Sequence, residues 1–115
     1  MDIELSNKVN QIADWIAEKK AFDIQIIDVA EKCSFTECII VCCSQGTQHS
    51  KAIADYVTEK SLAQKYRILS KEGLTAQTWI LIDLNDVILH IFTPETFNIY
   101  RLDELWLNRN ITKEL

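Results

Sequence analysis

The sequence predicts a single α/β domain with a mixed sheet of about five strands and helices packed on it. Three observations carry this. Two stretches, 3–19 and 48–63, repeat apolar residues at helical spacing. Short β-branched runs at 23–28, 37–43 and 79–92 read as strands, and the two kinds of segment alternate along the chain. The chain has 115 residues, 48% hydrophobic and 25% charged, with one Pro and two Gly. That length buries a core without disulfides or metal, and the composition leaves no flexible linker, repeat or low-complexity tract.

Taken in order, Leu5, Val9, Ile12, Ala13 and Ile16 form the stripe of a first amphipathic helix, with Trp15 at its flank. Ile24, Ile26 and Ile27 mark a first strand. Residues 37–43 make a second, apolar on both faces. Ser44-Gln45-Gly46-Thr47 punctuates the change to a second helix, with Thr47 as the expected N-cap and His49, Ile53, Tyr56 and Val57 on one face. Residues 66–69 are the candidate third strand. Thr93 and Pro94 open a short helix, since Pro at the first helical position lacks only a donor that has no partner there. Leu102, Leu105 and Trp106 recur at i, i+3, i+4 in a last short helix or turn. The domain is placed at 1–107, with 108–115 as a tail.

The richest segment is the hairpin 79–92. With Leu84-Asn85 as its turn, Asp83 faces Asp86, Leu81 faces Ile88 and Trp79 faces His90 on one side, while Ile82–Val87 and Ile80–Leu89 form an aliphatic wall on the other. A mirror-image turn wants positive φ, which Asn tolerates and Leu does not, so Leu84→Gly is expected to be neutral or slightly stabilising. At least three strands are apolar on both faces, yet two long helices exist to cover them. The Trp79 face therefore wants a cover: the C-terminal segment through Tyr100, Leu105 or Trp106, a partner, or a second copy.

Composition narrows the function. Net charge is −5 and the only basic doublet is Lys19-Lys20, a poor profile for a nucleic-acid binder, which gains affinity by neutralising phosphates. An acidic domain suits a basic protein partner, though the charge can serve solubility alone. The start, Met-Asp-Ile-Glu-Leu, resembles neither a secretory signal nor an Arg-rich transit peptide, and no run approaches the ~20 apolar residues of a membrane span. A cytoplasmic location is expected. Cys33, Cys38, Cys42 and Cys43 lie within eleven residues, but adjacent strand residues point to opposite faces and the spacing lacks a knuckle turn. They read as buried thiols, with no metal site.

Trp79, Asp83, Asp86-Val87, His90, Phe92-Thr93-Pro94-Glu95, Tyr100-x-Leu102 and Leu105-Trp106 together resemble the signature of the ribosomal silencing factors, bacterial relatives of the plant Iojap protein. Ser34-Phe35-Thr36, Ser44-x-Gly46-Thr47-x-His49, Ala52-Ile53-Ala54-Asp55 and Glu72-Gly73-Leu74 fit the same pattern in the same order, so the match spans roughly residues 5 to 106. Leu84 and Asn85 stand where the family usually has an aromatic and a Gly, and the Cys42-Cys43 pair is unusual.

The resemblance implies a nucleotidyltransferase-like topology and a translational repressor. Such a protein binds ribosomal protein fourteen of the large subunit, sterically blocks small-subunit joining and is often homodimeric. It implies no cofactor and no catalysis. On the hairpin geometry, Trp79 is the expected partner-binding anchor, surrounded by Leu81, Ile88 and His90, with Asp83 and Asp86 toward basic groups. The rival readings are a phosphoryl-transfer enzyme using Thr47, Asp83 and Asp86, and a large-subunit assembly factor that does not block joining. Against the enzyme stand the absence of any Asp-x-Asp pair, a phosphate loop with one Gly and no adjacent Lys, and two His with no visible nucleophile to serve.

Overall fold

A computed structural model gives the fold; it describes residues 2–31 and 36–100, the side chains of Ile99 and Tyr100 excepted. The elements are α1 (Ile3–Glu18), β1 (Phe22–Asp28), β2 (Cys38–Cys43), α2 (Thr47–Ala63), β3 (Ser70–Glu72), β4 (Trp79–Asp83), β5 (Val87–Phe92) and α3 (Pro94–Tyr100). The α/β domain with a five-stranded mixed sheet is as expected. Cys33, the tail 108–115 and the Leu102–Leu105–Trp106 segment lie outside the described residues, as does any cover that Tyr100, Leu105 or Trp106 gives Trp79.

The strand order is β1-β2-β5-β4-β3. Among the described strands only β2 and β5 pair in parallel; β1–β2, β4–β5 and β3–β4 are antiparallel. It follows that β3 runs in the direction of β2, so α2 is the crossover that carries the chain from β2 to the far edge of the sheet. A parallel pair needs a long connection of this kind, and α2, β3 and β4 together supply it.

Helix α1 starts because the Asp2 side chain accepts from the Leu5 amide at 2.7 Å, covering one of the orphan donors of the first turn. Its stripe Leu5, Val9, Ile12 and Ile16 is buried on the sheet, and Trp15, expected at the flank, is buried there too, with its ring 6.3 Å from that of Tyr66. Helix α2 adds Ile53, Ala54 and Val57 to the same layer. Both helices therefore cover one sheet face, the one built from Cys38, Ile40, Cys42, Ile80, Ile82, Val87, Leu89 and Ile91. The opposite face carries a smaller cluster of Ile27, Val29, Ile39, Val41 and Phe92, against which Trp79 and Phe97 of α3 pack.

Three local expectations change. The hairpin turn is Asn85-Asp86, one residue later than Leu84-Asn85, because Asn85 takes the positive φ of 80°. Leu84 is drawn into the helix-side core at 0% exposure, and its amide donates to the Val87 carbonyl at 2.8 Å. The facing pairs become Trp79–Phe92, Leu81–His90 and Asp83–Ile88. Shifting the turn by one residue moves the pairing by two, so the paired strand residues keep their predicted faces, while Asp86 leaves the ladder for the turn. Second, the third strand is 70–72 and not 66–69. Tyr66 instead closes the end of α2, its amide donating to the Ser61 carbonyl at 2.8 Å, while Tyr66 and Ile68 pack on the core. Third, Gly46 and not Thr47 occupies the cap position of α2. The loop there is held by Ser44, whose hydroxyl donates to the Gly46 carbonyl at 2.9 Å and bonds the Ser50 hydroxyl at 2.5 Å.

Cys42 and Cys43 do face opposite sides of β2. Cys42 joins the helix-side cluster, and all three described cysteines are buried. Burial pushes the Cys38 thiol up to about 11 and that of Cys42 higher still. Since the thiolate is the reactive form, a Cys33→Ser protein should show no thiol reacting with a disulfide reagent until it is unfolded. Rapid modification of the native protein would contradict this. Leu84→Gly, contrary to the sequence expectation, should be destabilising. Leu84→Ala should cost about 2–5 kcal/mol in denaturant unfolding, as truncation of a fully buried Leu does, and Gly no less; a loss below 1 kcal/mol would contradict the burial of this side chain.

Candidate functional site

The candidate surface begins on β4, where side chains alternate: Ile80 and Ile82 are buried under the helices, while Trp79, Leu81 and Asp83 are only partly buried on the opposite face. Trp79 is fixed in place. Its indole Nε1–H donates to Nδ1 of His90 at 3.0 Å, and its ring stacks on Phe92 with centroids 5.0 Å apart. The sequence paired Trp79 with His90 directly across the hairpin. They do meet, but diagonally, with Leu81 holding the position opposite His90.

His90 and Ile88 lie beneath this surface at 7% and 6% exposure. Burial lowers the His90 ring to about 4, so it is neutral near pH 7. An acceptor Nδ1 also requires the proton on Nε2. His90 is thus a positioning group for the indole.

The two hairpin carboxylates part company. Asp83 Oδ1 accepts from the Asn85 amide at 2.9 Å, shaping the turn on the Trp79 side. Asp86 Oδ1 bonds Lys8 Nζ of α1 at 2.6 Å, and the same ammonium donates to the Leu84 carbonyl at 2.8 Å. The expected facing pair Asp83–Asp86 is therefore replaced by carboxylates committed to different partners on different sides of the hairpin. Lys8, 12% exposed at its side chain, is the residue sequence reasoning missed; a lone Lys on the edge of an apolar stripe gave no signal of a partner 78 positions away.

His49 is likewise occupied. Nδ1 accepts from the Gln45 amide at 2.9 Å and Nε2 faces the Lys19 carbonyl at 2.6 Å, so both nitrogens tie the start of α2 to the end of α1. Neither is free to act as a base. Among the described residues, no three His, Cys, Asp or Glu side chains gather where they could hold a metal ion.

The β3 edge completes the surface. By register Glu72 lies opposite Leu81 and Ser70 opposite Asp83, on the Trp79 face. Glu72, Gly73, Trp79 and Leu81 line a depression of about 310 Å³. Gly73 has φ +81°, and a Cβ there would sit 2.0 Å from the Trp79 carbonyl oxygen. Only glycine permits that approach. Glu72 and Gly73 were visible in the sequence as part of a motif, but nothing in their hydropathy placed them beside Trp79.

Fold and surface together define a class: a small mixed sheet backed by helices on one face, with an ordered aromatic strip and flanking carboxylates on the other. A family model described as "Ribosomal silencing factor during starvation" matches residues 2–115. A Zymomonas mobilis protein named ribosomal silencing factor is 27% identical over 95 residues, covering 83% of this chain and 71% of its own. The mouse protein named "Mitochondrial assembly of ribosomal large subunit protein 1" is 24% identical over 110 residues; the match takes in 93% of this chain, which spans about half, 48%, of the mouse protein. A crystal structure of a Chromobacterium violaceum protein has the same fold, with TM-score 0.83 at 26% identity over 92% of this chain and 87% of that one. The chain belongs to the ribosomal silencing factor family.

The neutral state of His90 has a thermodynamic consequence. Its folded value of about 4 lies below the ordinary 6.5, so as pH falls the unfolded chain takes the proton first. This contribution to stability is complete above pH 6.5, declines between 6.5 and 4, and is absent below 4. Its size is on the order of 3 kcal/mol. The stability difference between the wild type and His90→Gln should therefore shrink across that window in denaturant titrations; a difference that is constant with pH would contradict the buried neutral ring.

Proposed function

We propose that this chain represses translation by binding the large ribosomal subunit through its ribosomal protein fourteen and sterically blocking small-subunit joining. The observation that carries the reading is Trp79, an aromatic held by a hydrogen bond and a stacked ring on the sheet face that neither long helix covers. Binding energy concentrates in such anchors, and an indole already ordered loses little further freedom on docking. Trp79 and Leu81 would supply the apolar contact and Asp83 the charge, with Ile88 and His90 as the floor. Asp86 would act indirectly, by holding the turn to Lys8. The net charge of −5 suits a basic partner.

The reading requires a fitted surface and no chemistry, so the protein is not an enzyme. It works in the cytoplasm, binds no DNA and forms a homodimer when not on the ribosome. The phosphoryl-transfer alternative loses support because Asp83 and Asp86 are engaged on different sides of the hairpin. The assembly alternative gains some from the name of the mouse relative. It places the same surface on the same subunit and differs in whether joining is blocked.

The protein should sediment with purified large subunits and lower the yield of joined ribosomes in reconstitution. Trp79→Ala should weaken sedimentation about thirtyfold, matching a loss of ~2 kcal/mol, with circular dichroism reporting an intact fold. Leu81→Ala, a partly buried position, should also weaken it. Co-sedimentation without any effect on joining would favour the assembly reading; no co-sedimentation at all would refute both.

A further inference from the structure

The depression beside Trp79 has a chemistry of its own. It lies on the β3 side of the indole, while Phe92 occupies the β5 side. Trp79 and Leu81 bring apolar side chains to its lining, Glu72 a carboxylate side chain, and Gly73 backbone alone. Asp83 follows two residues along the same strand face. Lys71 belongs to the other face, opposite Ile82, and the nearest imidazole, His90, is neutral near pH 7. Two carboxylate side chains, Glu72 and Asp83, thus share the Trp79 face of β3 and β4.

We propose that this depression is the seat for an arginine side chain presented by the basic partner, its stem on Leu81, its guanidinium over the Trp79 indole and paired with Glu72. The inference rests on the partner-binding reading of the Trp79 face and adds Glu72 and Gly73 to it. Arginine fits better than lysine on three counts. A guanidinium stacks on an indole, it meets a carboxylate with two parallel N–H donors, and it is more weakly hydrated than an ammonium. An aliphatic stem lying on apolar floor with its charge at a polar rim is also how such side chains are ordinarily accommodated. Glu72 thereby takes the role that the sequence gave Asp86, which Lys8 occupies.

The test separates the seat from the ribosome. In one arm, the full chain is titrated by NMR with a short extended peptide carrying one central arginine, and with a twin carrying lysine. Saturable shifts of the Trp79 indole and of the Gly73 and Leu81 amides are expected for the arginine peptide. They should be several-fold weaker for the lysine twin and lost in Glu72→Gln, whereas Glu95→Gln, outside the depression, should behave as wild type. Absence of saturable shifts, or equal shifts in Glu72→Gln, would overturn the inference whatever the ribosome does. In the other arm, Glu72→Gln should weaken sedimentation with large subunits about tenfold and reduce its salt dependence. If the arginine peptide titrates while wild-type protein ignores large subunits, the ribosome reading fails and the seat stands. If wild type binds subunits and Glu72→Gln binds equally, the ribosome reading stands and the seat falls.

Discussion

Because β2 and β5 pair in parallel at the centre of the sheet and every residue of both strands is buried, neither can border solvent on either side. That single constraint organises the domain. The parallel pair demands a long crossover, and α2 provides it while covering one sheet face together with α1. Most of the apolar area goes there, at roughly 25 cal/mol per Å² removed from water. On the other face β5 presents Ile88, His90 and Phe92, and the flanking β4 adds Trp79 and Leu81. The polar atoms that this arrangement buries must be satisfied, so the indole N–H and the imidazole Nδ1 serve each other.

The two faces are coupled at the hairpin tip. Lys8 reaches from α1 to both the Asp86 carboxylate and the Leu84 carbonyl, so the turn is tied to the helix layer while Leu84 fills the core beneath it. A mostly buried ion pair of this kind contributes geometry more than net stability, since desolvation consumes much of its attraction. What it fixes is the end of β4 and β5, and therefore the attitude of the strip that carries Trp79, Leu81 and Asp83. At the other end of that strip Gly73 lets the β3 edge close against the Trp79 backbone. The proposed partner would thus meet a surface whose ordering was completed during folding.

Much of this was legible in the residues, and the failures have physical causes. The α1 stripe, the doubly apolar β2 and the Thr93-Pro94 helix start all come from periodicity and end chemistry, which act locally. The face assignment of the paired strand residues was right, although the turn and the place of Asp86 were not. Period-2 alternation decides faces, whereas the turn position was decided by two preferences of neighbours, positive φ for Asn85 and burial for Leu84. Strand β3, Ser-Lys-Glu, carries no hydropathy signal because an edge strand exposed on every residue needs none. Lys8–Asp86 and Glu72 beside Trp79 depend on tertiary placement, which no spacing in the sequence encodes. The family resemblance, in contrast, was carried by the hairpin and by short motifs spread over most of the chain, and the family match over residues 2–115 bears it out.

The proposed function divides the labour of the domain, with the helix-covered face as scaffold and the strip on β3 and β4 as the proposed working surface. Hydrogen–deuterium exchange of the full chain with and without saturating purified large subunits tests this most directly. The account predicts slowed exchange in 70–73 and 79–83 on binding, with α1 and the exposed side of α2 unchanged. Protection confined to α1 and α2, with β3 and β4 exchanging as in the free protein, would contradict it.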